Sequence, residues 1–426
     1  MTTMESRLRQ TLDADRESYL RPLLELIAID TQVLGHGIDG GREAQGQVYI
    51  EKLLRSLGAD VRRLPMTEEA VAEAIALWGE GNAGHVYDGR WNVLGRFGGR
   101  GGPSLLFDGH VDTMPPGERA DWSFDPHGAH VRDGRVWGLG ANDMKGGLMA
   151  ALMAPRLVRE AGFPLPGDVT VLSVVDEEGG GNGTLGALME GVTADGAVVC
   201  EPTSLAVTGA HMGFLFFRVD VTGRALHSGS KWLGVNAIEK AMLLIEALQD
   251  LEHRWLMEFR HPLLPPPTIN VGVIEGGTAG STVPDRCTFK LCLHYLPSME
   301  RDKVVADVEE AIRLRSRGDA WLAENPPRTA IYQEGRPFEM DLSHPFVETV
   351  RGCVEAATQK TVVVNGSPAG NDARLLRNIG KMPTVIVGPG PLANCHRPDE
   401  WLPLEEYFQS IVAYAMLILE WGGRKK

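Results

Sequence analysis

Three apolar runs in this chain stop in the same way. "LLF" leads into Asp108, His110 and Asp112 in "LLFDGHVDT", "VTVLSVV" leads into Asp176, Glu177 and Glu178, and "GAVVC" leads into Glu201 and Pro202. A fourth run, "PTVIV", is followed by Gly-Pro-Gly and then by "ANCHRPDE" with His396, while "GLGANDMKGG" sets Asp143 just ahead of a helical stretch. Short runs of Val, Leu and Ile read as buried strands, and ligands of open α/β sheets gather at the carboxyl ends of such strands. Strands ending there in acids and imidazoles would crowd negative charge into one crevice, which is costly unless cations neutralise it. Taken alone, "FDGHVDT" reads equally well as a hydrogen-bonded loop closing a strand. Alternate side chains of an extended chain share a face, however, so Asp108, His110 and Asp112 can all point into one space.

The intervening segments carry helical spacing over residues 43–57, 145–160 and 345–357, and further strands read at "WNVLGRF", 168–175 and 196–200. Strands alternating with helices predict an α/β fold, a sheet flanked by helices on both faces. After Cys200 the style changes to longer alternating strands, "FLFFRVDVTG", "TINVGVIEGG" and "CTFKLCLHYL", with helices over 235–251 and 303–315. Two helices on one face of an antiparallel sheet make a compact α+β unit, so residues 210–327 are expected to form an inserted domain. The first pattern returns at Arg328, which makes 1–209 and 328–426 two parts of one catalytic domain. A chain of 426 residues is long enough for two cores.

The net charge of −14 argues against nucleic acid or an anionic membrane as a partner. The apolar run "IVAYAMLILEW" is too short to span a bilayer and reads as a packed helix. Five cysteines without a C-x-x-C pair suit free thiols in a reducing compartment. The polar, amphipathic N-terminus lacks the apolar core of a signal peptide, so a cytoplasmic location is expected.

Two histidines and several carboxylates, with no cysteine among them, form a nitrogen and oxygen donor set suited to Zn²⁺, Co²⁺ or Mn²⁺. The carboxylates suffice for two ions sharing a bridge, an arrangement typical of hydrolases. There is no G-x-S-x-G and no H-E-x-x-H, which removes serine hydrolases and the common zinc proteases. Neither glycine run is a phosphate loop: "GGRGG" lacks the Lys-Ser/Thr that would follow, and "GLGANDMKGG" carries an acid where an anion would sit.

In this order, "FDGHVDT", "GLGANDMKGG", "VVDEEGGG", "CEPT", "GNDAR" and "CHRPDE" resemble the M20 metallopeptidases, in the branch of acetylornithine deacetylase and succinyl-diaminopimelate desuccinylase. The likeness covers essentially the whole chain. It implies a zinc-exopeptidase-like catalytic domain with a mixed sheet and an inserted ferredoxin-like lid that also forms a homodimer. It implies two divalent metal ions, Zn²⁺ foremost, with Asp143 bridging both, His110 and Glu201 completing one site, and Glu178 and His396 the other. Asp112 would accept a hydrogen bond from the second ring nitrogen of His110, and Glu177 would be the general base. His227, in "GRALHSGSKW", matches a lid histidine that stabilises the oxyanion from across the dimer. Arg374, in "GNDAR", matches an arginine that grips a substrate carboxylate. Asn371 stands where threonine is common, and it reads either as a substrate contact or as a helix cap. The implied activity is removal of an N-acyl group from an amino acid or similar small metabolite, with acetylornithine deacetylase-like activity the leading specific reading. A dipeptidase or carboxypeptidase using the same ions, and a metal-binding relative without catalysis, are the alternatives.

The lid departs from its relatives. Ser281 stands in "GGTAGSTVPD" where asparagine is usual, and Cys292, Leu293 and His294 lie in a strand that is elsewhere acidic and arginine-rich. The resemblance therefore leaves the acyl group and the amine open.

Overall fold

The computed structural model describes residues 3–425 and divides into two compact units. The first comprises Met1–Gly209, Glu339–Asn365 and Asn371–Lys426, and the second Ala210–Phe338 with Gly366–Gly370.

The first unit is an α/β structure on a mixed sheet. Its strands lie in the order Asp60–Pro65, Trp91–Phe97, Gly167–Val174, Gly102–His110, Ala197–Val199, Thr384–Ile386 and Val207–His211, the last leading into the second unit. The four strands from Gly167–Val174 to Thr384–Ile386 run parallel, and those flanking them pair antiparallel. The parallel strands are buried along nearly their whole length, as apolar runs without alternation require. Parallel pairing sends their carboxyl ends to one edge, and the acids and imidazole that follow each run arrive there together. The helices Gly146–Glu160 and Leu404–Gly422 pack on each other and against this sheet. No helix among the described residues is long and apolar enough to cross a membrane.

Glycine matters where the first of these helices begins. A Cβ on Gly147 would fall on the Cys200 carbonyl, so the helix start approaches the strand leading to Glu201 only without a side chain.

The second unit follows the order strand, helix, two strands, helix, strand. Its four-stranded antiparallel sheet is ordered Thr268–Gly276, Arg286–Tyr295, Gly213–Thr222, Arg328–Gly335, the ferredoxin-like arrangement. Leu215, Phe217, Val219 and Val221 alternate onto the face covered by helices Ala237–Glu258 and Arg301–Arg317. The first of these helices answers with Ala241, Leu244, Leu248, Leu251 and Trp255 at helical spacing. One boundary differs from expectation. The strand Arg328–Gly335, assigned from the sequence to the catalytic domain, pairs with Gly213–Thr222, so the unit runs past residue 327 to Phe338. This strand is only partly buried and its register slips between Ile331 and Gln333, which blurs the period-2 signal.

Candidate metal centre

His110 is the last residue of the strand Gly102–His110 and is fully buried. Its Nε2 stands 3.2 Å from Asp143 Oδ1 and 3.7 Å from Glu201 Oε1. The other oxygen of Asp143 faces a second imidazole, His396 Nε2, at 3.2 Å. His396 in turn lies 3.0 Å from Glu178 Oε2. Asp143 thus presents one oxygen to each histidine. Ligand atoms of His110, Glu177 and Glu201 all lie within 4.8 Å of one another, as do those of His110, Asp143 and Glu178. Strand ends separated by almost the whole catalytic sequence therefore meet at one point. Glu177, expected only as a base, is as close to His110 and Glu201 as an ion ligand would be.

The electrostatics are those of a cation site. Burial, then the charges of Asp372 and Glu201, push the Glu177 carboxyl well above its ordinary range. Burial and the charge of Asp143 do the same to Glu201. Burial opposes charge on His110, but the hydrogen bond to Asp143 and the charges of Glu201, Asp112 and Glu177 outweigh it and raise its pKa. His396 is pushed up to about 11 by its hydrogen bonds to Asp143 and Glu178. Burial works against ionised Asp143, yet the two histidines hold its pKa well below the usual carboxylate range. Without cations, protons on the imidazoles and glutamates must balance the charge. A divalent ion would replace those protons, and the oxygen and nitrogen donors fit one.

Asp112 plays a different part from the one expected. His110 Nδ1 is 2.9 Å from the backbone carbonyl of Asp112, while the Asp112 carboxylate oxygen lies 3.8 Å from that nitrogen. A carbonyl fixes the ring tautomer as a carboxylate would. The Asp112 side chain instead accepts the backbone N–H of Glu178 at 3.1 Å and so ties two strand ends together. Burial and the neighbouring Glu43 and Glu178, with His110 opposing, push its carboxyl up to about 8.

Arg374 is buried, and its guanidinium is directed inward. Nη2 donates to Gly180 O at 2.7 Å, Nη1 to Asn371 O at 2.8 Å, and Nε faces Glu80 at 3.4 Å. Asn371 Oδ1 accepts the N–H of Ala373 at 3.1 Å, one residue ahead of Asp372, the N-cap of the helix Ala373–Asn378. In the second unit His227 is exposed, ends the strand Leu226–His227 and accepts the N–H of Gly229 on Nδ1 at 3.1 Å. A neutral ring accepting on Nδ1 carries its proton on Nε2.

Two groups were not anticipated from the sequence. Glu400 is buried and accepts three backbone N–H groups, from Gly140 at 2.9 Å, Asn142 at 2.7 Å and Asp143 at 3.0 Å. It closes the "CHRPDE" stretch, which is the only signal it left. Residues 80–90 supply buried polar side chains that meet Asp176 and Gly180, on either side of Glu177 in the chain, and no spacing pattern marks them. Within the first unit, a cavity of about 290 Å³ opens on Asp143, Glu178 and His396, with Met114, Trp122 and Leu139 among its walls.

Imidazoles and carboxylates at the carboxyl edge of a mixed sheet, in a chain that also carries a ferredoxin-like unit, define a hydrolase class built around side chains able to hold metal ions. Residues 106–420 match the model of peptidase family M20/M25/M40, and the chain belongs to that family. It is 32% identical over 364 residues to an N-formyl-4-amino-5-aminomethyl-2-methylpyrimidine deformylase of Bacillus subtilis (strain 168), covering 80% of this chain and 85% of that protein. It is 32% identical over 350 residues to an acetylornithine deacetylase of Vibrio parahaemolyticus, covering 79% and 87%. Among solved structures it superposes on a Staphylococcus aureus tripeptidase with a TM-score of 0.71, at 18% identity over 95% of this chain and 98% of that one. Human carnosine dipeptidase 1 gives a TM-score of 0.73 at 17% identity, with complete coverage of both chains.

Proposed function

We propose that this chain is a dinuclear-metal N-deacylase that removes a small acyl group, formyl or acetyl, from the nitrogen of a small metabolite. The observation that carries the reading is Asp143, whose two oxygens each stand 3.2 Å from a different histidine, the disposition of a bridging carboxylate. His110 and Glu201 would complete one site, Glu178 and His396 the other, and Zn²⁺ is the expected ion, with Co²⁺ or Mn²⁺ as substitutes. Ions held there would lower the pKa of water towards neutrality and polarise the amide carbonyl. Glu177 takes the proton of the attacking water and delivers it to the departing amine nitrogen. His227, with its proton on Nε2, donates to the oxyanion.

The homodimer belongs to the same proposal. The strand Thr268–Gly276 lies at the sheet edge with Val273 and Ile274 exposed, and such an edge is a ready template for pairing with a second copy. A cytoplasmic location accords with five free cysteines.

Relatives of both names cleave an acyl group from nitrogen, one formyl and one acetyl. The inward commitment of Arg374 favours a substrate that needs no carboxylate grip at that residue, which weighs against an acetylornithine-like amine. A panel of N-formyl, N-acetyl and N-succinyl amines beside dipeptides, each with added Zn²⁺ or Co²⁺, tests the reading. Turnover of formyl or acetyl amides far above dipeptides is expected. Preference for dipeptides would make the chain a peptidase, and metal binding without turnover of any member would make it an inactive relative.

A further inference from the structure

Glu177 and Glu178 sit in the turn between Asp176 and Gly181, which is closed by Gly180 N–H to Glu177 O at 2.7 Å and Gly181 N–H to Asp176 O at 3.0 Å. Both ends of this turn are gripped by one short segment. At the leading end, Asp176 Oδ2 meets His85 Nδ1 and Tyr87 Oη, each at 2.8 Å, and its Oδ1 accepts from Arg90 Nη2 at 3.1 Å. Arg90 is itself held by Glu43 Oε1 at 2.5 Å. At the trailing end, Gly180 O accepts from Asn82 Nδ2 at 3.3 Å and from Arg374 Nη2 at 2.7 Å, and Glu80 faces Arg374. Asn182 joins the two grips, donating to Tyr87 Oη at 2.7 Å and to Asn82 O at 2.8 Å.

All of these side chains are buried. Asp176 has φ of 64°, a left-handed conformation that is strained for a non-glycine residue and persists only where the surroundings over-determine it. The surroundings here are residues 80–90, which lie ahead of the stretch matched by the family model, 106–420. A turn that served only to connect strand and helix would need no such grip, and glycine at 176 would remove the strain.

We propose that residues 80–90 are a positioning strap for the Glu177 turn: Tyr87 and Asn82 set the direction of the Glu177 carboxylate by fixing Asp176 and Gly180, without touching substrate or ion. This rests on Glu177 as the proton carrier.

Tyr87→Phe removes one hydroxyl at the leading grip, and Asn82→Ala removes one amide at the trailing grip. Arg90 is avoided, because breaking its buried pairs threatens folding itself. Each variant is expected to lower kcat about tenfold, the equivalent of one misdirected hydrogen bond, with KM within about twofold of the parent. Zinc content stays at the parental value. With Co²⁺ as the probe, the visible absorption bands shift, because Glu178 rides on the same turn. Parental kcat in both variants, or a kcat that falls only in proportion to lost zinc, overturns the strap. Full turnover by Glu177→Gln would overturn the proton-carrier reading instead, and the cobalt shift in Tyr87→Phe would still report on the strap alone.

Discussion

Glu400 accepts the backbone N–H of Asp143 at 3.0 Å, so a carboxylate on one loop shapes the turn that presents another to both histidines. The same carboxylate takes the N–H groups of Gly140 and Asn142. Burial and the charge of Asp143 push its pKa up to about 8 despite those three donors. Its work is therefore on the backbone. Glu400→Gln keeps one acceptor oxygen and puts an NH₂ where the other accepts, so the N–H groups of Gly140, or of Asn142 and Asp143, lose their partner. Divalent-ion affinity should fall by about 10–100-fold, the usual cost of losing a group that orients a ligand, with the fold retained. Titration calorimetry with Zn²⁺ and circular dichroism of the same sample check it, and parental affinity would refute it.

Glu177→Gln preserves shape and removes the ability to carry a proton. The expected loss in kcat is about 10²–10⁴-fold, the range of general acid–base catalysis, with metal content unchanged. Steady-state rates and elemental analysis of one preparation separate this from ion loss. Should the ions leave with the substitution, Glu177 is a ligand, as its closeness to His110 and Glu201 would allow.

The buried setting of Arg374 predicts a structural penalty. Lysine cannot reach Gly180 O, Asn371 O and Glu80 together, as the guanidinium does. Arg374→Lys should lower the melting temperature by about 5 °C or more, as loss of a buried paired arrangement does in a domain of this size, while KM stays within about threefold. A large rise in KM at unchanged melting temperature would return Arg374 to the role of substrate grip.

Ile274→Asp puts a charge on the exposed face of the edge strand Thr268–Gly276. Sedimentation is expected to show a dimer for the parent and a monomer for this variant. If His227 acts from across that interface, kcat falls with dimer content, and His227→Ala alone costs about 10²–10³-fold, the worth of an oxyanion donor. A monomer with parental kcat would confine His227 to its local turn.

Much of this site was legible because the chain writes it at strand ends. Apolar runs that lead into His110, Glu177 and Glu178, or Glu201 announce where a parallel sheet brings these side chains together. What stayed hidden acts between segments far apart in the chain. Glu400 gathers three backbone N–H groups of a distant loop, residues 80–90 hold the Asp176 carboxylate and the Gly180 carbonyl, and no periodicity reports such contacts. Asp112 shows the same limit: the spacing in "HVDT" brings it next to His110, but only the folded geometry decides that its carbonyl, and not its carboxylate, meets the ring. The strand Arg328–Gly335 was misassigned because a half-exposed strand with a register slip does not display the alternation of Gly213–Thr222.

The scattered imidazoles and carboxylates would cage a pair of ions around Asp143. The most direct test of that cage is elemental analysis of protein saturated with Zn²⁺ and then desalted, parent beside Asp143→Ala. About two ions per chain in the parent and almost none in the variant is the predicted result, since one carboxylate serves both sites. A parent that retains no zinc, or a variant that retains as much as the parent, would contradict it.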